Sequence, residues 1–272
     1  MKIRQHIKKL LYGKVPGLSG SFPYYGTKVF FPKNSLIFQL ACEQGIYESH
    51  NLRLISGLIS PNSVYFDVGA NIGLMSIPIL NDHPNSTVVS MEASPKTLEF
   101  LLRTAKESQF GDRWRIIGKG AGSSIGNVEF SMAAVDKGAF DGFQDTQRGG
   151  KTTKVTVPIT TIDMEWEAMG KPPVSVIKID VEGSEMEVLK GAVCCIEQEH
   201  PYILLEWNAI NLKAYDCQSI SLLNFAINAN YQLVSLPYLL PITDITFLKL
   251  HMIQTENFLL VPNQKHKKYE KQ

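Results

Sequence analysis

Val64-Tyr65-Phe66-Asp67-Val68-Gly69-Ala70-Asn71-Ile72-Gly73-Leu74 is a short apolar run that opens into a loop of the form D-x-G-x-N-x-G. An apolar run of this length, closed by a turn signal, reads as a buried strand. Glycine lets the backbone turn tightly and approach a ligand, and asparagine tolerates positive φ better than most residues. The loop is expected to lead into a helix whose N-terminus offers free N–H groups to a ligand carboxylate. Nineteen residues after Gly73, the next apolar run, Thr87–Met91, ends at Glu92. A carboxylate at that strand end can accept hydrogen bonds from two ribose hydroxyls.

The same alternation continues outward. Ser94 can cap a helix and Pro95 suits its first turn; Leu98, Leu101, Leu102 and Ala105 then share one face. Further strands are expected at Trp114–Ile117, at Val174–Ile179 ending in Asp180, and at Tyr202–Leu205 ending in Glu206. Tyr231–Leu236 and Phe258–Val261 close the set. A helix from Ser184 would bury Met186, Leu189 and Val193, and Leu36–Ile59 carries one or two helices ahead of the first strand. Alternating strands and helices of this kind build a mostly parallel sheet with helices on both faces. In such sheets ligands bind at the carboxyl ends of the strands, near the point where the strand order reverses. Asp67, Glu92, Asp180 and Glu206 all fall at such ends.

Residues 118–160 break the pattern. They are rich in Gly, Ser, Thr and Asp and read as a hairpin-rich insertion, with strand pieces at Val128–Phe130 and Val155–Val157 and a mobile loop around Gln147–Lys151. The chain divides into an irregular basic segment (1–40), the α/β domain (41–262) and a basic tail (263–272). Seven lysines and arginines and no acid occupy residues 1–42, and Lys265-His266-Lys267-Lys268 follows at the other end. These ends suit an anionic surface or an anionic substrate carrier. The net charge of +1 over 272 residues argues against nucleic acid as a partner. No apolar run reaches the roughly 18–20 residues of a membrane span, and the N-terminus lacks a signal-peptide core. Cys42, Cys194, Cys195 and Cys217 form no metal-binding pattern, so reduced thiols in a cytoplasmic protein are expected.

A second dense segment is Ile177-Lys178-Ile179-Asp180-Val181-Glu182-Gly183-Ser184-Glu185. A strand delivers Asp180 and Glu182 to the sheet edge, and Gly183 permits a sharp turn before the helix. Asp180 can orient or deprotonate a substrate hydroxyl. Glu182 can do the same or hold a cofactor amino group, and Glu185 suits the first helical turn. A dinucleotide-binding G-x-G-x-x-G would need glycines at 69, 71 and 74; Asn71 and Leu74 stand at two of these. A pyrophosphate would have to pass the Asn71 side chain, so a nicotinamide-dependent oxidoreductase is the alternative rather than the leading reading. A non-catalytic binding protein of the same fold is a third.

The D-x-G-x-N-x-G loop, Ser90-Met91-Glu92-Ala93-Ser94-Pro95 and Lys178-Ile179-Asp180-Val181-Glu182-Gly183 resemble the FkbM family of methyltransferases. Gly45-Ile46-Tyr47-Glu48, Pro158–Asp163 and Asn257–Pro262 extend the resemblance over roughly residues 40–262. It implies a class I methyltransferase fold, Rossmann-like, with a mostly parallel seven-stranded sheet, and S-adenosylmethionine as methyl donor. Carried over, Asp67, Gly69, Asn71 and Gly73 would line the cofactor's amino-acid end. Glu92 would hold the ribose, with Ala70, Ala93 and Ala121 beside the cofactor. Asp180, also counted with the cofactor, would sit with Glu182 near the transferred methyl. Many class I enzymes carry an adenine-binding Asp after the third strand. Here that stretch is Gly118-Lys119-Gly120-Ala121-Gly122, so backbone or another side chain must do that work.

The resemblance implies O-methylation of a hydroxyl on a sugar, polysaccharide or polyketide. An alcohol is a poor nucleophile, so a base is expected: Asp180 first, then Glu182, Glu206 and His50. No metal ligand is assigned, although Asp180, Glu182 and Glu206 are also the oxygen ligands that magnesium favours. The acceptor is expected to be a small molecule or glycan; the basic N-terminus suits a glycan on a lipid or diphosphate carrier and a peripheral contact with a membrane surface. Phe140, Phe143, Trp207, Tyr215 and Tyr238 are candidates to stack on it. The sequence leaves the oligomeric state open.

Overall fold

The computed structural model describes residues 20–33, 35–133, 141–144 and 152–263, together with Ile7. The order is β1 (Gly20–Tyr24), β2 (Thr27–Phe31), α1 (Leu36–Gln44), α2 (Ser49–Leu58), β3 (Val64–Val68), α3 (Ser76–Asp82), β4 (Thr87–Met91), α4 (Pro95–Glu107) and β5 (Trp114–Ile117). β6 (Gly120–Ala121), β7 (Gly126–Ala133) and β8 (Thr152–Thr160) follow. Then come α5 (Ile162–Ala168), β9 (Val174–Ile179), α6 (Glu185–Lys190), α7 (Val193–Glu199) and β10 (Tyr202–Glu206). The last elements are α8 (Ala209–Ala214), α9 (Ile220–Asn228), β11 (Tyr231–Ser235), β12 (Leu240–Pro241), α10 (Ile245–His251) and β13 (Asn257–Pro262).

The central sheet runs β12-β11-β13-β10-β9-β3-β4-β5. β5, β4, β3, β9 and β10 are mutually parallel, and β13 lies antiparallel between β10 and β11. The chain winds outward from β3 to β5 and then returns to β9, so the order reverses between β3 and β9. This is the class I methyltransferase fold. The expected seven strands gain an eighth in the two-residue β12. Both faces of the sheet are covered, and side chains alternate between two cores as the strand period requires. Phe66, Val68, Ile177 and Ile179 enter one core; Tyr65, Val176 and Leu204 enter the other.

Several local expectations are corrected. Residues 20–31 are a hairpin rather than irregular chain: Phe22 and Tyr24 alternate inward, and the turn falls at Tyr25-Gly26, both at positive φ. Phe31 stacks on Phe38 of α1 at 3.9 Å, tying the hairpin to the helical segment. In α4 the buried face is Thr97, Leu101 and Thr104, while Leu102 is exposed. Ser94 occupies the N-cap position, but its hydroxyl donates to Asp141 instead of capping. The helix after Ser184 stops at Gly191, where a Cβ would lie 2.0 Å from the Gly122 carbonyl oxygen, so Val193 belongs to α7 and is exposed. The insertion is a three-stranded sheet in the order β6-β8-β7, with β7 and β8 antiparallel. The loop Gln147–Lys151 and the basic tail from 264 onward lie outside the described residues, as does Phe140. Among the described residues no helix is long and apolar enough to cross a membrane.

Candidate active site

A cavity of about 360 Å³ opens at the carboxyl ends of β3, β4, β9 and β10. That is large enough for a small organic ligand. Its wall includes Gly69, Ala70, Asn71, Glu92, Ala93 and Ala121. It also includes Glu48, Lys178, Asp180, Glu182, Glu206 and Glu256.

The glycine loop is held by its own neighbours. Gly69 and Ala70 donate their N–H groups to the Met91 carbonyl, both at 3.0 Å, and Asn71 donates to Glu92 Oε2 at 2.8 Å. Asn71 sits at φ 50° and its side chain accepts from the Ile72 N–H. The helix thus starts at Ser76 rather than directly after Gly73, and the N–H groups of Gly69, Ala70 and Asn71 are taken up by Met91 and Glu92. Gly73, at φ 87°, is behind the wall: a Cβ there would lie 2.8 Å from the Trp114 ring.

Asp67 is also behind the wall. It is fully buried, and its Oδ2 accepts the Ser76 hydroxyl at 2.5 Å. Trp114 Nε1 donates to Ser90, which lies 2.7 Å from Ser76, so a relay runs from the indole to the carboxylate. The Lys178 Nζ is 3.6 Å from Asp67 Oδ1 and 3.2 Å from Asp180 Oδ2. Burial works against the lysine's charge, but Asp180, Asp67 and Glu48 outweigh it and hold its pKa above the ordinary lysine value. Lys178 thus joins the end of β3 to the residue that follows β9 electrostatically. A lysine in a fully buried strand that is apolar apart from Ser175 is the sequence signal for this pair.

Glu92 is buried, and its Oε1 accepts the Ser94 N–H at 2.8 Å. Burial pushes its carboxyl up to about 7, against the N–H groups of Ser94 and Asn71. Asp180, Glu182 and Glu206 each place a carboxylate oxygen within 4.8 Å of the others. Glu182 stands at φ 56°, and its Oε2 accepts from Asn211 at 3.1 Å. Glu206 Oε1 accepts from Asn208 at 2.8 Å. Burial, Asp180 and Glu182 raise the pKa of Glu206. Such an oxygen set can receive hydroxyl donors or a hard cation. Glu185 is outside the cavity wall; it is buried, accepts the Gly183 N–H at 3.0 Å and holds the turn after Asp180.

His50 is exposed and does not line the cavity. Tyr47 and Glu48 line it in that region instead, with Glu48 at φ 44° and its Oε2 accepting from Asn51. Of the aromatic candidates, Phe143 lines the cavity. Trp207 is buried in the core, Tyr215 packs on Gly183, and Tyr238 projects into solvent. Glu48, Tyr47 and Glu256 were missed as site residues because they come from distant parts of the chain; only the short Gly45–Glu48 and Asn257–Pro262 matches hinted at them.

The residues present fit S-adenosylmethionine. The cavity wall carries the buried Glu92 carboxylate, able to accept hydroxyl donors such as those of a ribose, the Gly69–Asn71 loop hydrogen-bonded to it, and a carboxylate cluster able to accept from a cationic amino group. A family model described as the methyltransferase FkbM domain matches residues 67–233. The methyltransferase sdnD of Sordaria araneosa is 26% identical over 165 residues, covering 51% of this chain and 62% of its own. The hexuronic acid methyltransferase AglP of Haloferax volcanii is 28% identical over 162 residues, covering 60% and 63%. The chain therefore spans less than two thirds of either relative. A solved methyltransferase FkbM from Methylobacillus flagellatus KT is 24% identical with a TM-score of 0.44, covering 72% of this chain and 47% of that one.

Proposed function

The chain belongs to the FkbM methyltransferase family, and from that membership we propose that it transfers a methyl group from S-adenosylmethionine to a hydroxyl of a sugar or surface glycan. The observation that carries the reading is one cavity lined both by the Gly69–Asn71 loop with Glu92 and by the carboxylate cluster of Asp180, Glu182 and Glu206. The similarity to a hexuronic acid methyltransferase supports a sugar as the acceptor.

When bound, S-adenosylmethionine supplies an already activated methyl group on a sulfonium. The chain's own contribution is positioning and proton management. Glu92 accepts the ribose hydroxyls, and the loop from Gly69 to Asn71, with Ala93 and Ala121, shapes the surrounding wall. Asp180 takes the proton of the acceptor hydroxyl, and Lys178 holds that carboxylate in place. Glu182 and Glu206 accept hydrogen bonds from neighbouring acceptor hydroxyls. Asp67 and Gly73 support the loop from behind. The basic residues at both ends of the chain would favour a lipid- or diphosphate-linked acceptor at an anionic surface.

The test is transfer of an isotopically labelled methyl from S-adenosylmethionine to a panel of neutral and uronate oligosaccharides, read by mass spectrometry. The proposal expects a mass gain on an acceptor hydroxyl that forms far more slowly with Asp180→Asn. Transfer to a carboxylate or a nitrogen would overturn the hydroxyl reading.

A further inference from the structure

The stretch after β5, Gly118–Gly122, holds no carboxylate, so the acid that commonly receives adenine in this fold is missing from its usual place. The insertion supplies one. Gly142 pairs with Ser131 of β7 in both directions, at 2.7 and 3.1 Å, which fixes Asp141 and Phe143 on either side of it. Both line the cavity. Asp141 Oδ2 accepts the Ser94 hydroxyl at 2.8 Å, and the Ser94 N–H holds Glu92 Oε1. Asp141 is thus one residue removed from the carboxylate assigned to ribose. The Phe143 ring lies over Gly120, where a Cβ would come within 2.8 Å of it, and Phe130 meets that ring edge-on at 5.9 Å. Gly120 leaves room for the ring, and Ala121 and Lys119 continue the same wall.

We propose that Asp141 and Phe143 are the adenine-recognition residues of this chain. The inference rests on the cofactor reading above. Phe143 packs against the base, and the Asp141 carboxylate accepts a hydrogen bond from the exocyclic amine. A carboxylate only accepts, so it favours a 6-amino purine and disfavours a 6-oxo purine, which presents a second acceptor at that position.

Calorimetric titration with S-adenosylhomocysteine and with S-inosylhomocysteine tests this on the full chain. The unsubstituted protein should prefer the 6-amino compound by roughly ten- to hundredfold, the range for a hydrogen bond to a charged group. Asp141→Ala and the near-isosteric Asp141→Asn should compress that ratio. Phe143→Ala should weaken both compounds alike, and Phe143→Tyr should restore them. Equal binding of the two compounds by the unsubstituted protein, or an unchanged ratio in Asp141→Ala, overturns the assignment while leaving the cofactor intact. Binding of neither compound by the unsubstituted protein overturns the cofactor reading itself, and this inference with it.

Discussion

The Cα of Gly69 stands so close to the main-chain carbonyl of Asp180 that a β-carbon there would lie 1.8 Å from its oxygen. The loop after β3 and the loop after β9 are pressed together at the point where the sheet order reverses. Gly69 also needs φ 78°, which side chains rarely adopt. Gly69→Ala should therefore cost roughly 2–4 kcal/mol from overpacking and backbone strain. Urea unfolding measures the loss, and a variant as stable as the parent would refute the contact.

Lys178 is 6% exposed at its side chain and pairs with a fully buried Asp67. Removing one partner of a buried pair leaves the other charge uncompensated, so Lys178→Met should cost about 3–5 kcal/mol. Combining it with Asp67→Asn should recover part of that loss. Chemical denaturation of the two single variants and the double variant completes the cycle; strict additivity would show that the two groups do not interact.

Much of this frame was legible, and the reason is periodicity. Val64–Val68, Thr87–Met91, Trp114–Ile117 and Val174–Ile179 are apolar runs closed by turn residues, and each is a strand. The β1–β2 hairpin escaped notice because Pro23 and the Tyr25-Gly26 turn break its two short runs, although Phe22, Tyr24, Val29, Phe30 and Phe31 are all buried in it. The wall near Asp180 was half legible. Asp180, Glu182 and Glu206 stand at strand ends, where topology alone collects them. Glu48, Asp141 and Glu256 reach the cavity from α2's entry, the insertion and the approach to β13, and no local spacing records that meeting.

Burial pushes both Glu92 and Glu185 up to about 7, from an ordinary value of 4.5. Between those values the folded chain binds more protons than the unfolded one, so stability falls as pH rises from about 4.5 to about 7. Glu92→Gln with Glu185→Gln should flatten this decline. Unfolding free energies across that range check it; a slope unchanged by both substitutions would assign the pH dependence elsewhere.

Asp180→Asn should lower methyl transfer by about 10²–10⁴-fold, the range for loss of a general base, while S-adenosylhomocysteine still binds. His50→Ala, at an exposed position outside the cavity wall, should leave transfer unchanged. Steady-state rates on any acceptor found above separate the two; equal losses would move the base away from Asp180.

The most direct measurement is calorimetric titration of the chain with S-adenosylmethionine and, separately, with NAD, each repeated on Glu92→Ala. The account predicts one site for S-adenosylmethionine, weakened roughly ten- to hundredfold by the loss of charged hydrogen bonds in Glu92→Ala, and no heat with NAD. Saturable binding of NAD, or no binding of either compound, would contradict it.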